Sequence, residues 1–138
     1  MDGKIVWKSG LSFSGLTGTG FTVPIDTSVS HGGLNEGPSP MELVLLSLGG
    51  CTAMDVISIL QKKRQEVTSF EILLHADRAI DHPKVFTQIT LEYVVTGHNV
   101  EEEAVSRAVE LSETKYCSVS GMLSKSVPIF TKVTVKEG

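Results

Sequence analysis

Two cysteines, Cys51 and Cys117, carry the most distinctive chemistry available to this chain of 138 residues. They are 66 positions apart, so their spacing does not establish whether they meet. If their Cα atoms come within about 7 Å, the two thiols can form a reversible disulfide. Cys51 could equally be an inert core residue, because free cysteine is among the most buried residue types. The residues alone leave both interpretations open.

Other kinds of site fit the sequence poorly. The histidines and cysteines show no pair at zinc-type spacing, so we expect no metal and no other cofactor. There is no phosphate-binding glycine loop, nucleophile elbow or catalytic triad. The net charge is −4 and the longest basic cluster is 62–64, which argues against nucleic-acid and membrane partners. The first residues lack the apolar segment of a signal peptide, so we expect a cytosolic location, where structural disulfides are rare.

Cys51 lies in a long segment, 37–65, that predicts one helix. Ser39 can cap its start, and Pro40 fits the first helical position, where a missing N–H costs nothing. Glu42 completes a capping box with Ser39. The sequence therefore predicts a well-defined helix start before the cysteine.

This helix is apolar on every face from 41 to 60, which is typical of a helix buried in a core or in a membrane. Glu42, Asp55 and the pair Gly49-Gly50 interrupt the apolar run, so we interpret it as a buried central helix. The two glycines predict close approach of another element or of a substrate to the backbone. Asp55 follows Cys51 by one turn, where its charge would oppose ionisation of the thiol.

The flanking segments predict short strands and two further helices. Strands are predicted at 3–8, 11–15, 21–25, 69–78, 85–95 and 127–135, and helices from Asn99, as N-cap, to 113–115 and over 119–123. Alternation places Phe86 with Gln88 on the face opposite Ile89. We expect one α+β domain over 1–138, whose long helix is covered by antiparallel sheets and by the second copy of a homodimer.

The run Gly37-Pro38-Ser39-Pro40-Met41-Glu42-Leu43, the pair Gly50-Cys51 and the segment Lys115-Tyr116-Cys117-Ser118-Val119-Ser120 together resemble the OsmC/Ohr family of organic hydroperoxide reductases. Within that family they are most similar to the OsmC-like YhfA branch. The resemblance covers essentially the whole chain. It implies an intertwined homodimer in which two long helices are buried between two β-sheets, with the active sites at the subunit interface.

The resemblance also implies roles for the cysteines. Cys51 would be the peroxidatic nucleophile that reduces an organic hydroperoxide and becomes a sulfenic acid. Cys117 would condense with it to a disulfide, which a small thiol or a dihydrolipoyl reductant would restore. Glu42 and Asp55 are the candidate supporting residues.

The sequence departs from the pattern of the strongly active members at two activating positions. Those members carry a glutamate directly after the proline, whereas this chain has Met41 there and Glu42 one place later. They also carry an N-terminal arginine, whereas the first arginine of this chain is Arg64. Three functions are therefore compatible with the sequence. The first is a thiol-dependent peroxidase of oxidative-stress defence, the second a small-molecule or electrophile binder with little turnover, and the third a structural protein with inert cysteines.

Overall fold

A computed structural model describes all 138 residues, which form two compact units, Met1–Val44 and Leu45–Gly138. The strands are β1 (Gly3–Ser9), β2 (Ser12–Thr17), β3 (Thr22–Ile25), β4 (Glu66–Arg78), β5 (Phe86–His98) and β6 (Ile129–Glu137). The helices are α1 (Pro40–Lys62), α2 (Glu102–Leu111) and α3 (Ser118–Leu123). The mixed α+β class is confirmed, and every predicted strand is present with its ends shifted by three residues or fewer. A single domain over the whole chain stays a prediction.

The first unit contains an antiparallel sheet in the order β1-β2-β3. Every residue of β1 is exposed in the single chain, including the large apolar side chains of Ile5 and Trp7. An apolar edge strand of this kind is a surface on which another chain can pack.

A buried carboxylate organises the loop that follows β3. Asp26 accepts hydrogen bonds from the backbone N–H groups of Thr27, Leu34 and Glu36 at 2.7, 3.2 and 3.1 Å. These bonds hold the pKa of Asp26 below its usual value, chiefly through Thr27, although burial opposes them. The backbone of Gly33 lies close to that of Thr27, and a Cβ atom at Gly33 would overlap the Thr27 carbonyl. No pattern in the sequence predicted these three hydrogen bonds to Asp26.

The start of α1 forms as predicted. The Ser39 backbone N–H donates to Glu42 Oε1 at 3.0 Å, and the Glu42 N–H donates to Ser39 Oγ at 3.3 Å, which is the reciprocal pattern of a capping box. Pro40 is the first helical residue.

The burial of α1 differs from the expectation in the single chain. Leu48, Gly49, Thr52, Val56 and Leu60 are buried. Other apolar side chains of the helix are exposed, Leu46 by 58% and Met54 by 74%. The helix therefore packs one face on its own chain.

By length and composition α1 could cross a membrane, with a mean hydropathy of 2.0.

The second unit contains a sheet in the order β4-β5-β6. The strands β4 and β5 form the predicted antiparallel hairpin, but β6 pairs with β5 in parallel. The expectation of purely antiparallel sheets is therefore wrong. The chain passes through α2 and α3 between β5 and β6, and a crossover of this length returns the next strand in the same direction.

The prediction that Phe86 and Ile89 lie on opposite faces of β5 is wrong. Phe86 is buried, as Ile89 is, because the register shifts between Asp77 and Arg78, so that Arg78 pairs with Phe86 and Asp77 with Gln88. Such a β-bulge returns the residue beyond it to the opposite face.

The residue Asn99 does not cap α2. It has a left-handed φ of 51°, and its N–H donates to Glu137 Oε2 at 3.1 Å. The N-cap position belongs to Glu101, which has the extended backbone that a cap requires and makes no side-chain cap bond.

We predict that Asp26→Asn lowers the stability of the protein at neutral pH and that the deficit shrinks in acid. A carboxyl whose folded pKa is depressed stabilises the fold above its unfolded pKa of about 3.9, and this contribution is lost as the pH falls through the folded pKa. Urea unfolding at pH 7 and pH 3 measures both effects. Asp81→Asn, in an exposed turn, is the control. An equal urea midpoint for Asp26→Asn and wild type at pH 7 would contradict a stabilising role of the Asp26 carboxylate.

Candidate functional site

The two cysteines meet in the second unit. Both are free thiols, and the Cys51 side chain lies close enough to Cys117 to raise the pKa of its thiol. Cys51 is half-buried on α1, whereas Cys117 is 4% exposed. Residues that are 66 positions apart are thus brought together as one thiol pair. Two free thiols in such contact can exchange between dithiol and disulfide forms.

A π-helical segment, Ser112–Tyr116, carries the chain from α2 to Cys117. The Cys117 N–H donates to the Ser112 carbonyl at 2.7 Å, which closes this wide turn. Cys117 is then the N-cap of α3, and its Sγ accepts a hydrogen bond from the Ser120 N–H at 3.3 Å. Single-turn π segments occur frequently at functional sites. The backbone thus fixes Cys117 from both sides.

Burial raises the pKa of the Cys117 thiol to about 11, and the hydrogen bond with Cys51 acts in the same direction. The hydrogen bond from the Ser120 N–H opposes this shift, whereas the electrostatic interaction with Asp55 adds to it. Cys117 is therefore a protonated thiol at neutral pH, suited to donate to the Cys51 sulfur rather than to act as the first nucleophile.

A buried chain of hydroxyl groups lies beside the thiol pair. The Thr52 hydroxyl is 2.8 Å from the Tyr93 hydroxyl and 2.7 Å from the Ser112 hydroxyl. The Ser112 hydroxyl donates to Asp55 Oδ2 at 2.9 Å. Tyr93, Thr52 and Ser112 are each 1% exposed or less. These hydroxyl groups therefore connect β5, α1 and the π-helical segment through polar contacts that are shielded from water.

The carboxylate fixes the direction of this chain. An ionised carboxylate only accepts hydrogen bonds, and each hydroxyl has one proton to donate. Since Ser112 donates to Asp55, Thr52 must donate to Ser112, and Tyr93 must donate to Thr52. Burial raises the pKa of Tyr93 and outweighs the hydrogen bond with Thr52, which lowers it, so the phenol keeps its proton.

The two candidate supporting residues have different surroundings. Asp55 accepts from Ser112 and so belongs to the polar chain beside the cysteines. Glu42 closes the capping box at the start of α1, and its hydrogen bonds to the Ser39 backbone and side chain lower its pKa. The catalytic roles of Cys51, Cys117, Glu42 and Asp55 stay predictions.

Sequence reasoning missed several residues near the thiol pair: Thr52, Tyr93, Ser112 and Glu113. Two of them carried a signal. Thr52 precedes Asp55 by three positions and therefore shares its helix face, and a buried tyrosine in a core strand requires a partner for its hydroxyl. Ser112 and Glu113 carried none, because the π-helical register sets their positions. Burial raises the pKa of the half-buried Glu113 carboxyl.

The residues around the thiol pair do not form a metal centre. Nowhere in the chain do three or more His, Cys, Asp or Glu side chains approach closely enough to hold a metal ion. The donors in the site are instead thiols, hydroxyls and single carboxylates. These groups are suited to thiol chemistry and hydrogen bonding.

Comparison with known proteins gives consistent matches over the chain. Residues 32–132 match the family described as OsmC-like protein. Protein YhfA of Escherichia coli is 44% identical over 129 residues, which are 94% of this chain and 93% of that protein. A hypothetical protein from Aquifex aeolicus is 36% identical with a TM-score of 0.87, over 99% of this chain and 96% of that chain. The organic hydroperoxide resistance protein OhrB of Bacillus subtilis is 16% identical with a TM-score of 0.65, over 97% and 98%, which shows a shared fold.

We predict that alkylation of Cys117 in the reduced protein continues to accelerate up to about pH 11. Raising a thiol pKa from 9.0 to about 11 lowers the thiolate fraction at neutral pH about a hundredfold. Peptide-resolved mass spectrometry after brief iodoacetamide pulses measures the rate at each pH. The same peptide in urea-unfolded protein is the control and should follow an ordinary thiol. A midpoint at or below pH 9 in the folded protein would contradict the raised pKa.

Proposed function

Because the chain belongs to the OsmC-like family, as its motifs predicted, we propose that it is a thiol-dependent peroxidase that reduces organic hydroperoxides. The single observation that carries the proposal is the pairing of the half-buried Cys51 with the buried Cys117 thiol. Solved structures of the same fold include proteins described as organic hydroperoxide resistance proteins. The role we propose is oxidative-stress defence in the cytosol.

The proposed reaction uses the two sulfurs in turn. The Cys51 thiolate attacks the terminal oxygen of the hydroperoxide, the O–O bond breaks, and the alkoxide leaves and takes up a proton as the alcohol. Cys51 is then a sulfenic acid. The Cys117 sulfur attacks the Cys51 sulfur, and the departing hydroxide combines with the Cys117 thiol proton to form water. Two thiol equivalents, from a small thiol or a dihydrolipoyl group, reduce the disulfide.

The protonated Cys117 thiol has a further part in this proposal. The chain has no arginine before Arg64, so the cation that stabilises the thiolate in the strongly active members is absent from its N-terminal region. We propose that the Cys117 thiol, which lies beside Cys51, donates a hydrogen bond to the Cys51 sulfur in its place. A thiol donor is weaker than a guanidinium, so we propose slower turnover than in members that carry the arginine.

A second candidate function keeps the thiol pair and removes the turnover. The same absence of an N-terminal arginine favours a protein that binds a small apolar or electrophilic molecule at the half-buried Cys51. The two candidates differ in whether a hydroperoxide is consumed.

We also propose that the protein is a homodimer. In one copy, the apolar side chains of Leu46 and Met54 on α1 and of Ile5 and Trp7 on β1 are exposed by between 58% and 74%. Exposed apolar side chains in such numbers mark association surfaces. A second copy of this chain is the partner we propose for them.

We predict that one equivalent of an alkyl hydroperoxide lowers the intact mass of the reduced protein by two hydrogens within minutes. Both Cys51→Ser and Cys117→Ser should abolish this loss, because each removes one sulfur of the disulfide. The Cys117→Ser variant should instead gain oxygen at Cys51, and Cys51→Ser should leave Cys117 largely unoxidised. Mass spectrometry of the intact protein and of its peptides distinguishes these products.

The opposite pattern in the two variants would reverse the cysteine roles. An unchanged wild-type mass together with stoichiometric capture of an electrophile at Cys51 would support the binding function instead. If neither the hydroperoxide nor the electrophile reacts, the cysteines are inert and both candidate functions are wrong.

We predict that Met54→Glu converts the homodimer to monomers at micromolar concentration. A charge placed in an apolar interface remains unpaired and costs several kcal/mol. Sedimentation velocity measures the change. Ile80→Glu is the matched control, since Ile80 is also exposed but lies in the loop between β4 and β5. A monomeric wild-type protein, or a dimeric Met54→Glu variant, would contradict the proposed interface.

A further inference from the structure

Ser112 makes contact with both cysteine-bearing segments. Its side chain donates to Asp55 on α1 at 2.9 Å and accepts from Thr52, the residue after Cys51, at 2.7 Å. Its backbone carbonyl accepts from the Cys117 N–H at 2.7 Å. One residue thus connects the helix of the first thiol to the backbone of the second.

We propose that Ser112 and Asp55 form a positioning pair that holds Cys117 against Cys51 and so sets the strength of the thiol–disulfide couple. The consequence of this pair for the reaction with hydroperoxide rests on the proposed function. The side-chain hydrogen bonds of both residues go to oxygen atoms and not to the reacting sulfur atoms. Their effect is on the separation and orientation of the two thiols.

The π-helical geometry explains why such an anchor is required. The segment Ser112–Tyr116 leaves the regular α-helical register of α2, and its wide turn places Cys117 where an α-helical continuation would not. π turns are rare and intrinsically less favourable than α-helix. The bond to Asp55 connects the start of this turn to α1, one helical turn beyond Cys51.

The directed hydroxyl chain makes this anchor rigid. A hydrogen bond to a carboxylate is about twice as strong as one between neutral groups. Because Asp55 fixes the Ser112 proton, Thr52 and Tyr93 have one arrangement each, and reversing any hydroxyl would leave a buried lone pair or proton unpaired. Every buried side-chain nitrogen and oxygen of the chain has a hydrogen-bond partner in the present arrangement.

The proposal has a direct consequence for the chemistry. The equilibrium between dithiol and disulfide depends on the effective concentration of one thiol at the other, which falls when the connecting segment becomes mobile. Loss of the anchor should therefore weaken the disulfide. It should also lengthen the life of the Cys51 sulfenic acid, which then oxidises further to sulfinic acid.

The experiment measures the equilibrium of the full-length protein with glutathione, in which protein dithiol and glutathione disulfide give protein disulfide and two glutathione thiols. We expect Ser112→Ala to lower the equilibrium constant at least tenfold, which is about 30 mV for a two-electron couple. Asp55→Ala should act similarly. Asp55→Asn keeps a carbonyl acceptor for Ser112 and should remain within about threefold of wild type.

The matched control is Thr114→Ala in the same π-helical segment. Thr114 is exposed, and its hydroxyl donates to the Glu110 carbonyl of α2 at 2.7 Å rather than to a residue of α1. It should leave the equilibrium unchanged. If Ser112→Ala does not fold, Asp55→Ala breaks the same bond at a half-buried helical position that alanine favours. An equilibrium for the folded anchor variants within twofold of wild type, or an equal loss in Asp55→Asn and Asp55→Ala, would overturn the proposal.

The glutathione measurement uses no hydroperoxide, so it separates this inference from the proposed function. A wild-type pair that equilibrates with glutathione and loses strength in Ser112→Ala supports the anchor even when no peroxide is consumed. A protein that reduces hydroperoxide while its anchor variants behave as wild type retains the function and loses the inference. A wild-type pair that forms no disulfide with glutathione overturns the anchor.

Discussion

The bond between Ser112 and Asp55 is the interaction on which the direction of the buried hydroxyl chain depends. A carboxylate on a largely apolar helix would be costly if it were unpaired, and here it accepts a proton from a buried hydroxyl at 2.9 Å. Because that hydroxyl is committed to Asp55, the protons of Thr52 and Tyr93 are directed as well. A single charge thereby orders the polar contacts among β5, α1 and the segment that ends at Cys117.

The two thiols beside this hydroxyl chain lie in unequal surroundings. Burial keeps the proton on Cys117, whose pKa it raises to about 11, while Cys51 is more accessible. A pair of equal thiols would compete for the role of nucleophile. In the reaction that we propose, the buried partner holds its proton until the sulfur beside it becomes electrophilic, and the hydroxide that leaves Cys51 then takes up that proton. The division of roles that we propose between the two cysteines follows from their difference in burial.

The sequence predicted well those features that depend on neighbouring residues. The capping box of Ser39 and Glu42, the β4–β5 hairpin and the short helix after Cys117 all depend on contacts within a few positions. The errors arose where long-range structure prevailed. Asn99 is held by Glu137 on a distant strand, and the parallel direction of β6 follows from the crossover. The motifs identified the cysteines and the family, whereas Ser112 could be found only once the π-helical register had placed it beside α1.

The composition of α1 remains unexplained by one copy of the chain. Its buried residues Leu48, Thr52, Val56 and Leu60 recur every four positions and form a single stripe. A helix that contacts its surroundings along one stripe has no need of apolar residues on its other faces, and exposed ones add an aggregation hazard. Leu46 and Met54 are nevertheless apolar and largely exposed. The simplest physical account is that a second stripe is buried by another molecule. Since that stripe belongs to the helix that carries Cys51, the partner we propose for it would also limit access of water and substrate to the thiol.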